Sequence, residues 1–200
     1  GITENPNVNL DENILRMTVN IRGNYGRLAE ALLAKGDKAK AAEVIDYSLK
    51  SLPADRVPHS VFDYSYPGVY YGADQKDKGR KLLEEMMAKS KNELKYQASV
   101  YQYTLDQARK SLSDNDRSQL DALTAGKKYN SIDDYKMVID DLQRKGVLSD
   151  EMVYYIQLQM GQFMERREVR EELYIMQELT MTAKRYDDPA FASKVENDFN

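Results

Sequence analysis

The chain of 200 residues has no cysteine, no tryptophan and a single histidine, His59. Without cysteine there are no disulfides and no thiolate metal sites. The compartment stays open, because a periplasmic domain can also lack cysteine. No run of about 18 apolar residues occurs, so nothing in the sequence is suited to span a bilayer, and no apolar leader opens it. An excess of one charge is also missing: 29 Lys and Arg are interspersed with 33 Asp and Glu, for a net charge of −4. A nucleic-acid partner normally demands a basic patch or stripe, so none is expected. There is no His-Glu-x-x-His pair, no glycine-rich phosphate loop and no Ser/His/Asp set of familiar spacing. His59 follows Pro58 in a linker, with no second His or Cys to share a metal. The pairs Asp133-Asp134, Asp140-Asp141 and Asp187-Asp188 fall at helix starts or faces, where carboxylates favour the helix dipole or water. The reading is a chain with no catalytic residue, no metal and no cofactor.

Ten glycines and five prolines are few, and strict period-two alternation is hard to find. Ala, Leu, Lys, Glu, Gln and Met are plentiful, and all are good helix formers. The fold class expected is all-α. The unusual abundance is tyrosine, at fifteen.

Asp11 caps a first helix with Ile14, Leu15 and Thr18 on its inner face. Gly23 and Gly26 weaken the next segment by about 1 kcal/mol each relative to alanine, which predicts a bend or a close helix contact. Tyr25, Leu28, Ala29, Leu32 and Leu33 then recur at helical spacing up to Gly36. Asp37 caps a second helix with Ala41, Val44, Ile45, Ser48 and Leu49 inside, and Pro53 stops it. From Val61 to Ala73 the pattern is helical but interrupted at Pro67-Gly68, where a kink or short irregular turn is expected. Leu82, Leu83, Met86, Met87 and Leu94 begin one stripe that runs on through Tyr101 to Leu112, predicting a long helix bent near Ser90. A polar stretch follows from Asp114 to Lys128, with a short helix at Leu120 and Leu123. Ser131 caps a helix closed by Gly146. Ser149 caps a last long element that carries Val153, Met160, Phe163, Val169, Leu173, Met176, Leu179 and Ala183. Its charged middle, Glu165 to Leu173, is expected to protrude. Asp187 or Asp188 with Pro189 starts a terminal helix docked by Phe191, Val195 and Phe199.

The first hairpin fits the 34-residue tetratricopeptide pattern. Tyr25 takes the large position, Ala29 and Ala41 the two small ones, Gly36-Asp37 the turn and Pro53 the close. A degenerate second unit follows about 38 residues later, with Tyr66, Tyr70, Gly79, Leu83 and Met86 in the corresponding places. Repeat-like units are therefore expected at 22–55 and 60–93, with a long-helix part at 94–200, in one domain 1–200. Two such units rarely stand alone, so the later helices must cover their apolar faces.

In a repeat of this kind the first helix of each hairpin lines a concave face. That places Gly23, Gly26, Glu30 and Leu33 of the first unit beside Val61, Tyr64, Gly68 and Tyr71 of the second. Tyr64 and Tyr71 would then face a groove floored by glycines, where tyrosine suits peptide or sugar recognition. The competing expectation puts Tyr66 and Tyr70 in the core and packs Tyr64 and Tyr71 on the C-terminal helices.

The stretch from Arg16 to Pro58, "RMTVNIRGNYGRLAEALLAKGDKAKAAEVIDYSLKSLPADRVP", resembles the C-terminal region of a bacterial family of multi-spanning membrane proteins. These carry a glycosyltransferase-like membrane domain, akin to protein O-mannosyltransferases, followed by tetratricopeptide-like helices. "IMQELTMTAKRYDDPAFASKVENDF" is similar to that family's closing segment. The resemblance covers about Asn9 to Tyr103 and Arg170 to Phe199; Thr104 to Val169 has no close match. It rests on Arg22, Asn24, Tyr25, Arg27, Leu28, Ala29, Gly36, Pro53 and Pro58, and departs from the general repeat at Gly23, Gly26 and Gly79. It implies that the catalytic acid lies in a membrane-domain loop not present in this sequence, and that this part sits on the periplasmic face of the inner membrane. Together with an opening that lacks an initiator methionine, it suggests a soluble piece of a longer protein. Asn24 and Arg27 belong to the motif, either lining the groove or holding the first bend by hydrogen bonds.

The expected function is a non-catalytic domain that recognises a protein partner or acceptor, appended to a membrane glycosyltransferase-like protein. The alternatives are a free-standing peptide-binding adaptor and a glycan-binding module. Candidate binding residues are Tyr64, Tyr71, Asn24, Arg27 and Glu30. Partners expected are a protein or peptide, or a glycan acceptor.

Overall fold

A computed structural model of the chain describes the backbone of residues 10–110, 114, 140, 143–146, 153 and 166–199, and the side chains of these except 100–110 and 198–199. Among the described residues every regular element is an α-helix: α1 (Glu12–Ala34), α2 (Lys38–Ser51), α3 (Tyr66–Gly72), α4 (Lys76–Lys110), α5 (Arg167–Tyr186) and α6 (Pro189–Phe199). The fold is all-α. The chain divides into two compact units, one of residues 1–94 with 170–200 and the other of residues 95–169. The expected grouping of 94–200 as a single part is thus replaced: the last thirty-odd residues pack with the hairpins. In the second unit Val153 and Val169 are buried, and Gly146 takes φ +69° just after the helical Gln143 and Arg144. The expected helices at Leu120–Leu123 and Ser131–Leu142, and the stretch from Ser149 to Met164, lie largely outside the described residues.

In the first unit α1 and α2 form an antiparallel hairpin through a tight Schellman turn. Gly36, at φ +82°, donates its N–H to the Leu33 carbonyl at 2.9 Å, and Asp37 donates to Leu32 at 2.9 Å. These two bonds satisfy carbonyls that a helix end leaves open. The same turn recurs 38 residues on, between α3 and α4. Asp74 donates to Tyr71 at 3.1 Å and Gln75 to Tyr70 at 2.8 Å. Here the left-handed position is held by an aspartate, Asp74, at φ +60°. A third hairpin, α5 to α6, turns through Asp187 and Asp188; Asp188 caps α6 by accepting the Phe191 N–H at 2.9 Å, with Pro189 as first helical residue.

Ion pairs link successive turns at equivalent places. Lys38, the first residue of α2, pairs with Asp74 in the second turn at 2.8 Å. Lys76, the first residue of α4, pairs with Asp187 in the third turn at 2.9 Å. The shared core runs through all three hairpins and includes Ala29, Ala41, Ile45, Tyr66, Tyr70, Leu83, Met86, Leu179, Ala183 and Val195. Ala29 and Ala41 have no exposed surface, as close approach of α1 and α2 requires.

Several expectations are corrected. The first helix and the first repeat helix are one continuous α1, with Gly23 and Gly26 inside it. Ile14 and Leu28, expected inside, are 39% and 49% exposed; α1 buries Thr18, Arg22, Gly23, Gly26 and Ala29 instead. The reason is that α1 offers a face of small residues, and the bulk that fills it comes from the loop before α3. Pro67 starts a helix rather than interrupting one: residues 61–65 are turns, and Pro67 lies in the first turn of α3. α5 begins at Arg167, and Glu172, in the stretch expected to protrude, is 6% exposed and paired with Lys89.

Candidate functional site

The loop that joins the first two hairpins is held from inside by a charged side chain. Arg22 points from α1 into the interior, where its side chain and that of Asp63 are both fully buried and 2.9 Å apart. A second guanidinium nitrogen of Arg22 donates to the Leu52 carbonyl. His59 Nδ1 lies 2.6 Å from Asp63 Oδ2; a carboxylate only accepts, so Nδ1 carries the proton. The other carboxylate oxygen accepts the Ser60 N–H at 2.8 Å. Tyr66 adds a second tie: its hydroxyl donates to the Arg22 carbonyl at 2.8 Å and accepts from Ser48 at 2.7 Å. Burial pushes the Tyr66 phenol up to about 12. A buried pair of this kind is expensive to desolvate, and loss of either partner leaves the other charge uncompensated.

Asp63 is fully buried, whereas its neighbour Phe62 is exposed and Tyr64 is half-buried against the core. Phe62 rests on Gly23, where an added Cβ would meet its ring at 3.4 Å, and the Tyr66 ring covers Gly26, at 3.2 Å. The two glycines therefore seat these rings and do not floor an open groove. Tyr64 meets Tyr174 of α5 edge to face, ring centres 5.4 Å apart, and the two hydroxyls share a hydrogen bond at 3.2 Å. That bond, then partial burial and the nearby carboxylates of Glu178 and Glu30, raise the Tyr64 phenol to about 12. Phe62 and Tyr174 remain 38% and 42% exposed. The result is a surface of partly exposed aromatic rings, with the Glu178 and Glu30 carboxylates within electrostatic reach of the Tyr64 phenol.

Tyr71 is not part of that surface. It is 8% exposed, its ring stacks on Tyr186 at 5.7 Å, and its hydroxyl donates to Asp187 at 2.6 Å. Burial and then Asp187 push its phenol well above the usual range. α5 runs along the face expected to be open: Tyr174 is on Tyr64, Thr182 is 4.0 Å from where a Cβ on Gly68 would stand, and Tyr186 is on Tyr71. Tyr66 and Tyr70 are core residues. Asn24 and Arg27 are exposed on α1 and face each other within one turn at 3.4 Å; with α1 continuous, there is no bend for them to hold. Of the five candidate residues, Tyr64 and Glu30 come together, Asn24 and Arg27 pair with each other, and Tyr71 is enclosed.

Sequence reasoning missed Tyr174, Glu178 and the Arg22–Asp63 pair. Arg22 was visible as the first position of the repeat alignment and as part of the family-like motif, with no sign that it is buried against Asp63. A second centre lies at Asp187, whose buried carboxylate receives Arg80, Lys76 and Tyr71. A shallow cavity of about 280 Å3 between α4 and α6 is lined by Leu83, Met87, Glu84 and Lys194, the last two paired at 2.7 Å. Among the described residues no group of three or more His, Asp or Glu stands ready to hold a metal ion, and no helix is long and apolar enough to cross a membrane. No protein-family description, no curated protein and no solved structure matches the chain.

Proposed function

We propose that this chain is a non-catalytic protein-interaction domain built of tetratricopeptide-like hairpins, and that its partner presents a lysine or arginine side chain to the surface of Tyr64, Tyr174, Glu30 and Glu178. The observation that carries this reading is the partly exposed edge-to-face Tyr64–Tyr174 pair, with the Glu178 and Glu30 carboxylates within electrostatic reach. An aromatic face attracts a cation through its quadrupole, and the carboxylates add Coulomb attraction and hydrogen-bond acceptors. The tetratricopeptide-like reading draws support from the turn repeated at a 38-residue interval and from the matched lysine–aspartate pairs between turns.

The proposal extends to the setting. Apart from residues 95–103, the two stretches that resemble the membrane glycosyltransferase-like family fall together in the first compact unit, and the unmatched middle makes up most of the second. This favours an accessory domain on the periplasmic face beside a membrane enzyme over a free-standing adaptor. Burial of Tyr71 removes the second ring on which the glycan reading depended.

Panning a random peptide library against the purified domain tests the function. Enriched peptides should carry lysine or arginine, and Tyr174→Ala or Glu30→Gln should weaken their binding by about tenfold. Enrichment of peptides without basic residues, or binding indifferent to both substitutions, would refute the site. Reading the gene upstream for membrane-spanning segments tests the setting separately.

A further inference from the structure

The side of α1 that faces away from the core carries Ile14, Met17, Ile21 and Leu28, exposed at 39%, 64%, 43% and 49%. Asn24 and Ala31, also exposed, complete the series. The spacing alternates three and four residues from Ile14 to Ala31. This is the spacing of a two-helix coiled-coil seam, in which apolar residues recur every 3.5 residues. Four large apolar side chains in one line form a continuous patch, unlike isolated exposed hydrophobics, which need no explanation. Nothing among the described residues covers them.

We infer that this stripe is a self-association surface, and that a second copy of the same chain pairs with it antiparallel about a two-fold axis. Three features select that occupant. The seam itself holds no charged residue between Ile14 and Ala31, so two copies each of net charge −4 can meet there without opposed like charges. The stripe is self-complementary when reversed: Ile14 falls opposite the partner's Ala31, Met17 opposite the partner's Leu28, and Ile21 opposite the partner's Asn24. Large residues thereby face small or flexible ones, as interdigitation requires. Antiparallel pairing also sets the acidic start of α1, with Asp11 and Glu12, level with the basic end at Lys35 of the partner. It opposes the two helix dipoles as well. A parallel pair would bring acidic end to acidic end. The stripe is about 25 Å long at 1.5 Å per residue and supplies six seam layers.

Sedimentation equilibrium at about 100 μM, a concentration that populates any dimer of micromolar Kd, reads the mass. The wild-type chain should sediment at twice its 23.0 kDa. Ile21→Glu should return it to the single-chain mass with its helical circular dichroism kept and a melting midpoint equal to that of the dilute wild-type chain, because the side chain is exposed and outside the core. Orientation is read by cross-linking in a chain with no cysteine of its own. Chains carrying Met17→Cys mixed with chains carrying Leu28→Cys should form a disulfide dimer, and each alone should not. Within one chain the two positions lie about 16 Å apart along α1, beyond disulfide reach. A wild-type chain at single mass, a dimer unmoved by Ile21→Glu, or efficient cross-linking of Met17→Cys chains alone each overturns the proposal. The first of these outcomes leaves the stripe to a different protein.

Discussion

Arg22 and Asp63 meet at 2.9 Å with both side chains fully buried, across 41 residues of sequence. This pair, with His59, Ser60 and the Leu52 carbonyl around it, fixes the loop that presents Phe62 and Tyr64. Removing one partner leaves the other charge buried without compensation. Arg22→Met and Asp63→Asn should therefore each cost about 3–5 kcal/mol in urea unfolding. The double variant Arg22→Met with Asp63→Leu should recover much of that loss, because no lone charge remains. A single-variant loss below about 1 kcal/mol would mean that the pair is hydrated in solution.

Two glycines should answer to alanine in opposite ways. At Gly79 an added Cβ would stand 3.1 Å from the Pro67 carbonyl oxygen and 3.0 Å from the Tyr71 ring. Backbone cannot yield cheaply, so Gly79→Ala should destabilise by about 1–3 kcal/mol although alanine is the better helix former. At Gly23 the nearest atoms belong to Phe62, at 3.4 Å and beyond, and there the gain in helix propensity should prevail, raising stability by about 0.5–1 kcal/mol. Thermal melts of the two variants decide. The general repeat pattern places alanine at position 79, so a stabilised Gly79→Ala variant would show that α3 and α4 lie further apart.

The two left-handed turn residues make a similar contrast. Gly36 sits at φ +82° with open space around it, so Gly36→Ala meets no clash and suffers only from the backbone angle. The cost should be about 1 kcal/mol. Asp74 already bears that strain at φ +60°. Asp74→Gly relieves it and gives up an exposed ion pair with Lys38, which is worth little in water. The net effect should be a gain of a few tenths of a kcal/mol. Equal losses for both variants in denaturant melts would contradict the shared turn geometry.

The parts of this fold that were legible in the sequence are those fixed by neighbours in the chain. Gly36 and Asp37 mark their turn, Asp11 and Asp188 their caps, and the 38-residue offset predicts that Tyr66 and Tyr70 fall inside. The illegible parts depend on distant partners. Arg22 has the composition of a surface residue, and only Asp63 and Leu52, arriving from the following loop, make its burial tolerable. Ile14 and Leu28 look like core residues, yet Gly23 and Gly26 on another side of the same helix take the aromatic rings. Tyr71 reads as a groove residue until α5, more than a hundred residues later, covers it with Tyr186. Tyr64 is the one candidate whose environment combines both: it follows directly on the buried Asp63 in the chain, and its partner Tyr174 lies 110 residues away.

Acid should probe the third turn through Asp187. Burial alone would raise its carboxyl, but hydrogen bonds from Arg80, Tyr71 and Lys76 outweigh burial and hold it well below the usual carboxylate range. A carboxyl with a depressed folded pKa binds its proton more readily in the unfolded chain, so its contribution is complete above the unfolded value and is lost as pH falls toward the folded one. Stability should therefore be level with respect to Asp187 above about pH 5 and decline by about 1.4 kcal/mol per pH unit below pH 4 on its account. Asp187→Asn should cost about 2 kcal/mol at pH 7, since the hydrogen bonds lose their charged acceptor. It should also flatten the acid limb by close to one proton, visible as a shallower fall of the urea midpoint between pH 4 and about pH 2.5. An acid limb with the same slope in wild type and variant would place the turn-to-turn ion pairs outside the stabilising set, and with them the equivalence of Lys38–Asp74 and Lys76–Asp187.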